Sequence, residues 1–562
     1  MANIERKKPG AILDISRLVS RIDQRTPTGI DRVELRYAEW LLSSEQFLPA
    51  FVRQNQDRFE IVPYGQARRI VDYLEARWSS SAHNLKAPVF PPTSNDPNLP
   101  YLPGSLVSFI KSTPRNIYLN VSHHGIDREK LFLPLFLKWQ MRFAFYIHDM
   151  LPIQFPEYVK TADPQNHKSR IKNVLRLDST ILTNSGDTRN SLMAWCKKEN
   201  LGEPSPYIFH IGLEKQFSDS IAVNKAPADQ PGAPYFVMVG TIEPRKNHAL
   251  ILNIWRRLCE TRELADVPDL YIIGKRGWDS DSIFAYLERC AGIQSKVHEL
   301  SHAEDRKLRE LISGSRALLF PSFGEGWGMP LVEALAMGVP AICSDIPVFR
   351  EASQNLAEFI DPLDAITWMN TVLDYAAPHS LAREAQLKRL PQYQSPRWKN
   401  HFLNLQELLD RELSKQNLLQ RGPHEPGQFR LESKRKLVDH DKFELFGFLR
   451  RSSYDELVRQ ADQHREACDH ETAARLYKGA LAMQPHQPQI WIQYGHMLKE
   501  YGDYQTAFFA YAKAFELMPQ DADLHIQMGH LLKMAGRPED SNQYYRLAHD
   551  LDPSCDALTH LT

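Results

Sequence analysis

Two carboxylates, Glu325 and Glu333, bracket a glycine-rich stretch in the segment "FPSFGEGWGMPLVEALAMGVP" (320–340). An apolar run ends at Ser322, and Gly324, Gly326 and Gly328 then leave the backbone bare. Pro330 suits the first position of a helix and Gly338 its end, because proline lacks the N–H and glycine accepts a left-handed turn. Bare backbone can approach a ligand closely, and the free N–H groups of a helix start favour phosphate oxygens. Leu331, Ala334 and Leu335 form the core-facing stripe, with Glu333 on the first turn, ~200° from Leu331 and away from that stripe. The pattern reads either as a ligand-contacting loop or as a tight strand-to-helix turn with incidental acids.

Other side chains invite chemistry. Arg245 and Lys246, in "GTIEPRKNH", are either phosphate partners or a solvated basic pair at a helix start. His148 ends the apolar run "RFAFYIHD", where a histidine is either a ligand contact or a satisfied strand-end ring. His298 to His302 spell H-E-x-x-H, the zinc-protease pattern. Zinc binding needs both rings on one face of one helix. Here "KVHEL" reads as a short strand, and Ser301 with Glu304 makes a capping box that starts the helix "AEDRKLRELISGS". The two rings then share no face, so no metal site is expected.

The elements behind these residues follow from the apolar runs. "AILDIS" (11–16), "NIYLNVS" (116–122), "RFAFYIHD" (142–149), "STILTNS" (179–185) and "PYIFHIG" (206–212) form one series. "YFVMVG" (235–240), "LYIIGK" (270–275), "ALLFPS" (317–322) and "PAICSD" (340–345) form a second. Continuous rather than alternating runs predict parallel strands covered by helices on both faces. "NKAPADQPGAP" (224–234) separates the series as a linker. The expectation is two facing doubly wound α/β domains, with ligands at the carboxyl ends of their strands.

The end of the chain is periodic. Pro485, Pro519 and Pro553 are 34 residues apart, and Tyr477, Tyr511 and Tyr545 keep the same step. So do Ala480, Ala514 and Ala548, and the pairs Gly495/Gly529 and Gly502/Gly536. This period resembles the tetratricopeptide repeat, with small residues letting paired helices approach and aromatics filling gaps between repeats. Three units fit, at about 454–487, 488–521 and 522–555. "RGPHEPGQFRLESKRK" (421–436) reads as the preceding linker.

Bulk properties set limits. A formal charge of −1 over 562 residues argues against a nucleic-acid footprint. Six scattered cysteines without a C-x-x-C pair, and a start "MANIERKKPG" without an apolar core, predict a cytoplasmic chain with reduced thiols. The segment "LFLPLFLKWQMRFAFYI" (131–147) is interrupted by Pro134, Lys138 and Arg142, and reads as a packed helix and a buried strand rather than a membrane span.

The run "EGWGMPLVEALAMGVP" resembles the E-x7-E signature of retaining family-four glycosyltransferases. "TPTGIDRVELRYAEWLL" (26–42), "YIHDMLPIQFPEY" (146–158), "YFVMVGTIEPRKNHALIL" (235–252) and "LYIIGKRGW" are similar to that family's segments, in its order. The resemblance covers about residues 10–415 and is nearest in spelling to bacterial mannosyl-type members that build surface polysaccharides. It implies the GT-B fold: an acceptor-side domain over 1–225, a nucleotide-sugar domain over 233–380, and helices over 381–415 packing back. A linker over 416–452 and the repeats over 453–562 lie outside it.

By the same resemblance, Glu333 holds the donor ribose, and Glu325 contacts the transferred sugar. Backbone N–H groups from Gly326 through Trp327 and Gly328 to Met329 meet sugar and phosphate. Lys246 matches the family lysine on the diphosphate. Arg245 is the candidate second cation, since Thr241 stands where the commonest motif has arginine. His148 matches the histidine facing the sugar, and Gly29 the turn closing over the diphosphate. The implied reaction moves a hexose, first of all mannose from GDP-mannose, to a glycan or lipid-linked acceptor with retention and without a metal or other cofactor. Such an acceptor would draw the chain to the inner membrane face, and the repeats would hold a protein partner, the chain itself or a carbohydrate acceptor. Two alternatives remain: a glycosidase using Glu325 and Glu333, and a repeat scaffold with a vestigial transferase domain.

Overall fold

The computed structural model describes residues 8–55, 58–78, 87–88, 104–128, 131–132, 135, 139, 141–177, 179–218, 234–301, 303, 305–420, 453–518 and 521–560. Residues 224–233 and 421–452, with Pro134, Lys138, His302, Glu304 and Pro519, lie outside the described residues, whereas 416–420, expected in the linker, continue the helix Trp398–Gln420. Contacts divide the chain into two compact units. The first takes in Met1–Leu131, Phe143–Asn173 and Thr180–Glu407; the second takes in Phe132–Arg142, Val174–Ser179 and Leu408–Thr562.

The first unit holds two sheets. Strands β1 (Gly10–Asp14), β2 (Leu48–Asn55), β3 (Arg58–Val62), β4 (Asn116–Asn120), β5 (Arg142–Ile147), β6 (Thr180–Thr183) and β7 (Tyr207–Ile208) form one, ordered β3-β2-β1-β4-β5-β6-β7. The parallel expectation fails at one edge: β3 runs antiparallel to β2. The reason is the connection, since the few residues between Asn55 and Arg58 are too short for a crossover and allow only a hairpin.

The second sheet comprises β8 (Tyr235–Val239), β9 (Asp269–Ile273), β10 (Val297–Leu300), β11 (Leu318–Phe320), β12 (Ala341–Ser344) and β13 (Glu358–Ile360). Its order is β10-β9-β8-β11-β12-β13, and every pair is parallel. This is the Rossmann order, which reverses direction between β8 and β11 and so opens a crevice at their carboxyl ends. Phe236, Trp255, Leu270, Ile272, Leu319, Ile342 and Trp368 pack its core. The helix Trp398–Gln420 begins against the first sheet: Tyr37 Oη meets His401 Nε2 at 2.8 Å, and Trp398 Nε1–H donates to Glu214 at 3.1 Å.

The second unit is helical. Three consecutive pairs follow one another: Tyr454–Glu466 with His470–Met483, Pro488–Tyr501 with Tyr504–Leu517, and Ala522–Met534 with Pro538–Leu551. Asp469 and Asp503 cap equivalent helices by accepting from Thr472 N–H and Thr506 N–H. Gly502 and Gly536 turn the chain at φ +98° and +77°. The tyrosines fill gaps within a pair rather than between repeats. A Cβ on Gly495 would stand 2.6 Å from the Tyr511 ring, and one on Gly529 2.4 Å from that of Tyr545. Among the described residues, no helix is long and apolar enough to cross a membrane.

Candidate active site

After β8 the backbone makes a short turn over Pro244–Lys246, which carries Arg245 and Lys246 toward the loop following β11. Gly240, at φ +136°, makes room for the lysine stem: a Cβ there would lie 3.3 Å from Lys246 Cε. The main chain ties the two segments, since Phe323 N–H donates to Arg245 O at 3.0 Å.

Glu325 joins both cations. Lys246 Nζ donates to its Oε1 at 2.5 Å, and Arg245 Nη1 reaches Oε2 at 2.7 Å. Ser322 Oγ donates to Oε1 at 3.0 Å, and Arg245 also holds Gly324 O and the Glu243 carboxylate. Burial alone would raise the Glu325 carboxyl, but the charges of Arg245 and Lys246 outweigh it and hold it at about 2. Burial lowers Lys246 below its ordinary value despite the glutamate, whereas the Glu325 and Glu243 charges raise Arg245 against the opposing effect of burial. The Lys246 ammonium lies 4.7 Å from the centre of the Phe320 ring. Arg245 is thus a partner of Glu325 rather than a solvated surface charge.

The loop between Glu325 and the helix Met329–Ala336 is pressed on residues of the first sheet's domain. A Cβ on Gly326 would stand 2.2 Å from His148 O, and Ser185 Oγ–H donates to Gly326 O at 2.9 Å. The Trp327 ring stacks on His210 at 4.6 Å, and Tyr158 stacks on Phe323 at 5.3 Å. His210 Nε2 meets Glu351 at 2.8 Å, and the same carboxylate accepts from Gly186 N–H at 2.9 Å. Gly328 takes φ +91° with Phe349 close beneath it. The N–H groups of Trp327 and Gly328 donate to no protein acceptor among the described residues.

Gly29 opens the helix Gly29–Leu42, and among the described residues only Met329 approaches it, 3.9 Å from an added Cβ. Thr28 and Asp31 form a reciprocal capping box, and Arg17 binds that aspartate at 2.5 Å. His148 is buried at the end of β5, its Nε2 at 2.7 Å from Val121 O, and burial holds its pKa at about 4. It is therefore neutral at pH 7.

Two expectations about the helix need correction. It starts at Met329, so Pro330 is its second residue, because left-handed Gly328 forms the cap. Glu333 consequently falls in the second turn, and it is buried, as is every residue from Leu331 to Ala336. Gly338, at φ +74°, does follow the helix end.

The H-E-x-x-H pattern has no helix under its first half. His298 and Glu299 lie in β10, where neighbours face opposite sides; His298 stacks on Tyr271, and Glu299 binds Arg276 with both oxygens at 2.8 Å. Among the described residues no group of His, Cys, Asp and Glu is arranged to hold a metal.

Sequence comparison bears on this geometry. Residues 221–369, which include both cations, the glycine loop and Glu333, match the family of glycosyl transferases group 1. The chain carries a group 1 glycosyltransferase domain. It is 33% identical over 227 residues to the serotype-specific mannosyltransferase WbdA of Escherichia coli, covering 38% of this chain and 27% of that protein. To the O-antigen chain mannosyltransferase B of Escherichia coli it is 31% identical over 167 residues, covering 30% of this chain and 43% of the relative. The chain thus spans only about a quarter of WbdA. Among solved structures, sucrose-phosphate synthase from Thermosynechococcus elongatus superposes with a TM-score of 0.48 at 13% identity, over 73% of this chain and all of that one.

Sequence reasoning passed over Ser185, His210, Ser322, Glu351 and His123. Ser322 sits inside the glycine segment itself, whereas the other four are single polar residues that topology brings to the loop or its supports, with no motif to mark them.

Proposed function

We propose that this chain is a retaining hexosyltransferase with a GT-B core, transferring a sugar from a nucleotide donor to a glycan or lipid-linked glycan hydroxyl in surface polysaccharide synthesis. The observation that carries this reading is the Arg245–Glu325–Lys246 cluster at the glycine loop. A buried lysine and a half-buried arginine beside unpaired loop N–H groups suit a diphosphate, which would take over the cations and free Glu325 for the sugar. The names of the relatives favour mannose, with GDP-mannose the first donor to try. Glu333 would hold the ribose, Gly29 and the N–H groups from Gly326 to Met329 would meet the phosphates, and His148 would line the sugar side.

In the transfer step the acceptor oxygen bonds to the anomeric carbon as the carbon–oxygen bond to the diphosphate breaks. The hydroxyl proton passes to a leaving phosphate oxygen on the same face, which gives retention. Arg245 and Lys246 offset the charge that develops on that phosphate, in the role a divalent metal fills elsewhere. In this reading the protein works in the cytoplasm at the inner membrane face, and the three helix pairs are tetratricopeptide repeats that hold a protein partner.

The test measures nucleotide release from GDP-mannose, UDP-glucose and dTDP-glucose, with and without a glycan acceptor and with and without EDTA. Acceptor-stimulated release that survives EDTA, with an α-linked product from an α-linked donor, supports the reading. A chain that releases no nucleotide from any donor overturns it.

A further inference from the structure

His148 is linked to the glycine loop on one side and to a second histidine on the other. Its carbonyl faces Gly326, while its N–H donates to His123 Nε2 at 3.0 Å. One residue, His148, therefore separates the His123 ring from the loop that follows Glu325. His123 lies just beyond β4, the strand next to β5, and holds φ +63°, a left-handed conformation that a side chain disfavours. Strain of that kind persists where the surroundings over-determine it, and such places are often functional.

Three rings cluster here: His123 lies 5.2 Å from His148 and 5.3 Å from His167. His148 and His167 are buried, at 3% and 1% exposure, whereas His123 is only half-buried. His167 Nε2 lies 3.0 Å from Asp149 O while its Nδ1 is buried without a partner among the described residues, and His148 Nε2 is committed to Val121 O. His123 differs. Its Nε2 is an acceptor, which places the proton of the neutral ring on Nδ1, and Nδ1 has no acceptor among the described residues. Burial, and then the neighbouring rings of His148 and His167, hold the pKa of His123 well below the usual histidine value, so the neutral form is the one present at pH 7.

We infer that His123 is a second imidazole of the sugar site, whose Nδ1–H donates a hydrogen bond to a hydroxyl of the transferred hexose. The inference rests on the transferase reading above. The hexose is favoured over the acceptor because a single residue, His148, connects this ring with the glycine loop that follows Glu325.

Three variants separate direct contact from action through His148. His123→Asn keeps an N–H near the Nδ1 position and tolerates the left-handed backbone, but loses the acceptor for His148 N–H. His123→Gln can keep that acceptor but offers nothing at Nδ1. His123→Ala loses both. Each is assayed below its own melting temperature, with the best of GDP-mannose, UDP-glucose and dTDP-glucose for the wild-type chain.

For Ala and Gln the expectation is a ~10-fold loss of kcat/KM for the donor, equal with and without acceptor. For Asn it is a value within about threefold of wild type. An active Gln with an inactive Asn would mean that the ring acts only by positioning His148, and the inference falls. It falls equally if the loss is confined to the acceptor KM, or if all three variants match wild type. A wild-type chain inactive on every donor overturns the transferase reading itself, and this inference with it.

Discussion

The carbonyl oxygen of His148 lies 2.2 Å from where a side chain on Gly326 would begin. The glycine loop thus fits the first sheet's domain only because position 326 has no Cβ, and the opposing atom is backbone that cannot swing aside.

Gly326→Ala should therefore separate the loop from His148. The expected cost is about 1–3 kcal/mol of stability, as for overpacking in a core, together with a large loss of transfer. Thermal melting and donor turnover check it. An alanine variant that melts and turns over as wild type would mean that the loop is not seated as described.

Lys246→Ala removes one charge-assisted bond but leaves Glu325 paired with Arg245 at 2.7 Å, so the fold should hold. On the proposed function, kcat/KM for the donor should fall roughly 10- to 150-fold, equivalent to about 1.5–3 kcal/mol. Steady-state kinetics at varied donor concentration give the answer, and an unchanged value would place the phosphate elsewhere.

Glu325 and Glu34 should respond to pH in opposite directions. Glu325 is held at about 2, below the ordinary 4.5, so its stabilising effect is complete above 4.5 and is lost as pH falls toward 2. Glu34 is fully buried in the helix Gly29–Leu42 and raised to about 8, chiefly by burial. Keeping its proton in the folded state costs nothing below 4.5 and progressively more up to 8. Glu34→Gln should thus leave melting nearly unchanged at pH 4 but stabilise at pH 8, on the order of 2–4 kcal/mol. Equal effects at both pH values would refute the assignment.

The periodic tyrosines should not be equivalent. Tyr477 Oη–H donates to Asp462 at 2.6 Å, whereas the Tyr511 hydroxyl is buried without a partner among the described residues. Tyr477→Phe should cost ~1 kcal/mol, and Tyr511→Phe should be neutral or stabilising. Chemical denaturation of the two variants side by side is sufficient, and a reversed order would contradict the packing.

Much of the second sheet was legible because strands covered on both faces must be continuously apolar. "YFVMVG", "ALLFPS" and "PAICSD" each contain a strand, and "LYIIGK" all but the first residue of one. β2 and β3 escaped notice because an edge hairpin mixes Arg53, Gln54, Arg58 and Glu60 with its apolar residues. The glycine spacing at 324, 326 and 328 announced a bare loop, but not what would press on it. His123, Ser185, His210 and Glu351 meet the loop or its immediate supports only through sheet order and helix placement, and no local pattern encodes that. The placement of Glu333 erred by one residue of helix start, enough to move it from the first turn to the second.

Glu325 also bears on which anions this cleft will tolerate. A tethered carboxylate already occupies the two cations, so any visitor has to outcompete a rival that never diffuses away. Inorganic phosphate or a nucleoside monophosphate would gain little by such an exchange, while a diphosphate spanning both groups would gain more. On the proposed function, that tethered rival would favour diphosphates over the simpler anions around them.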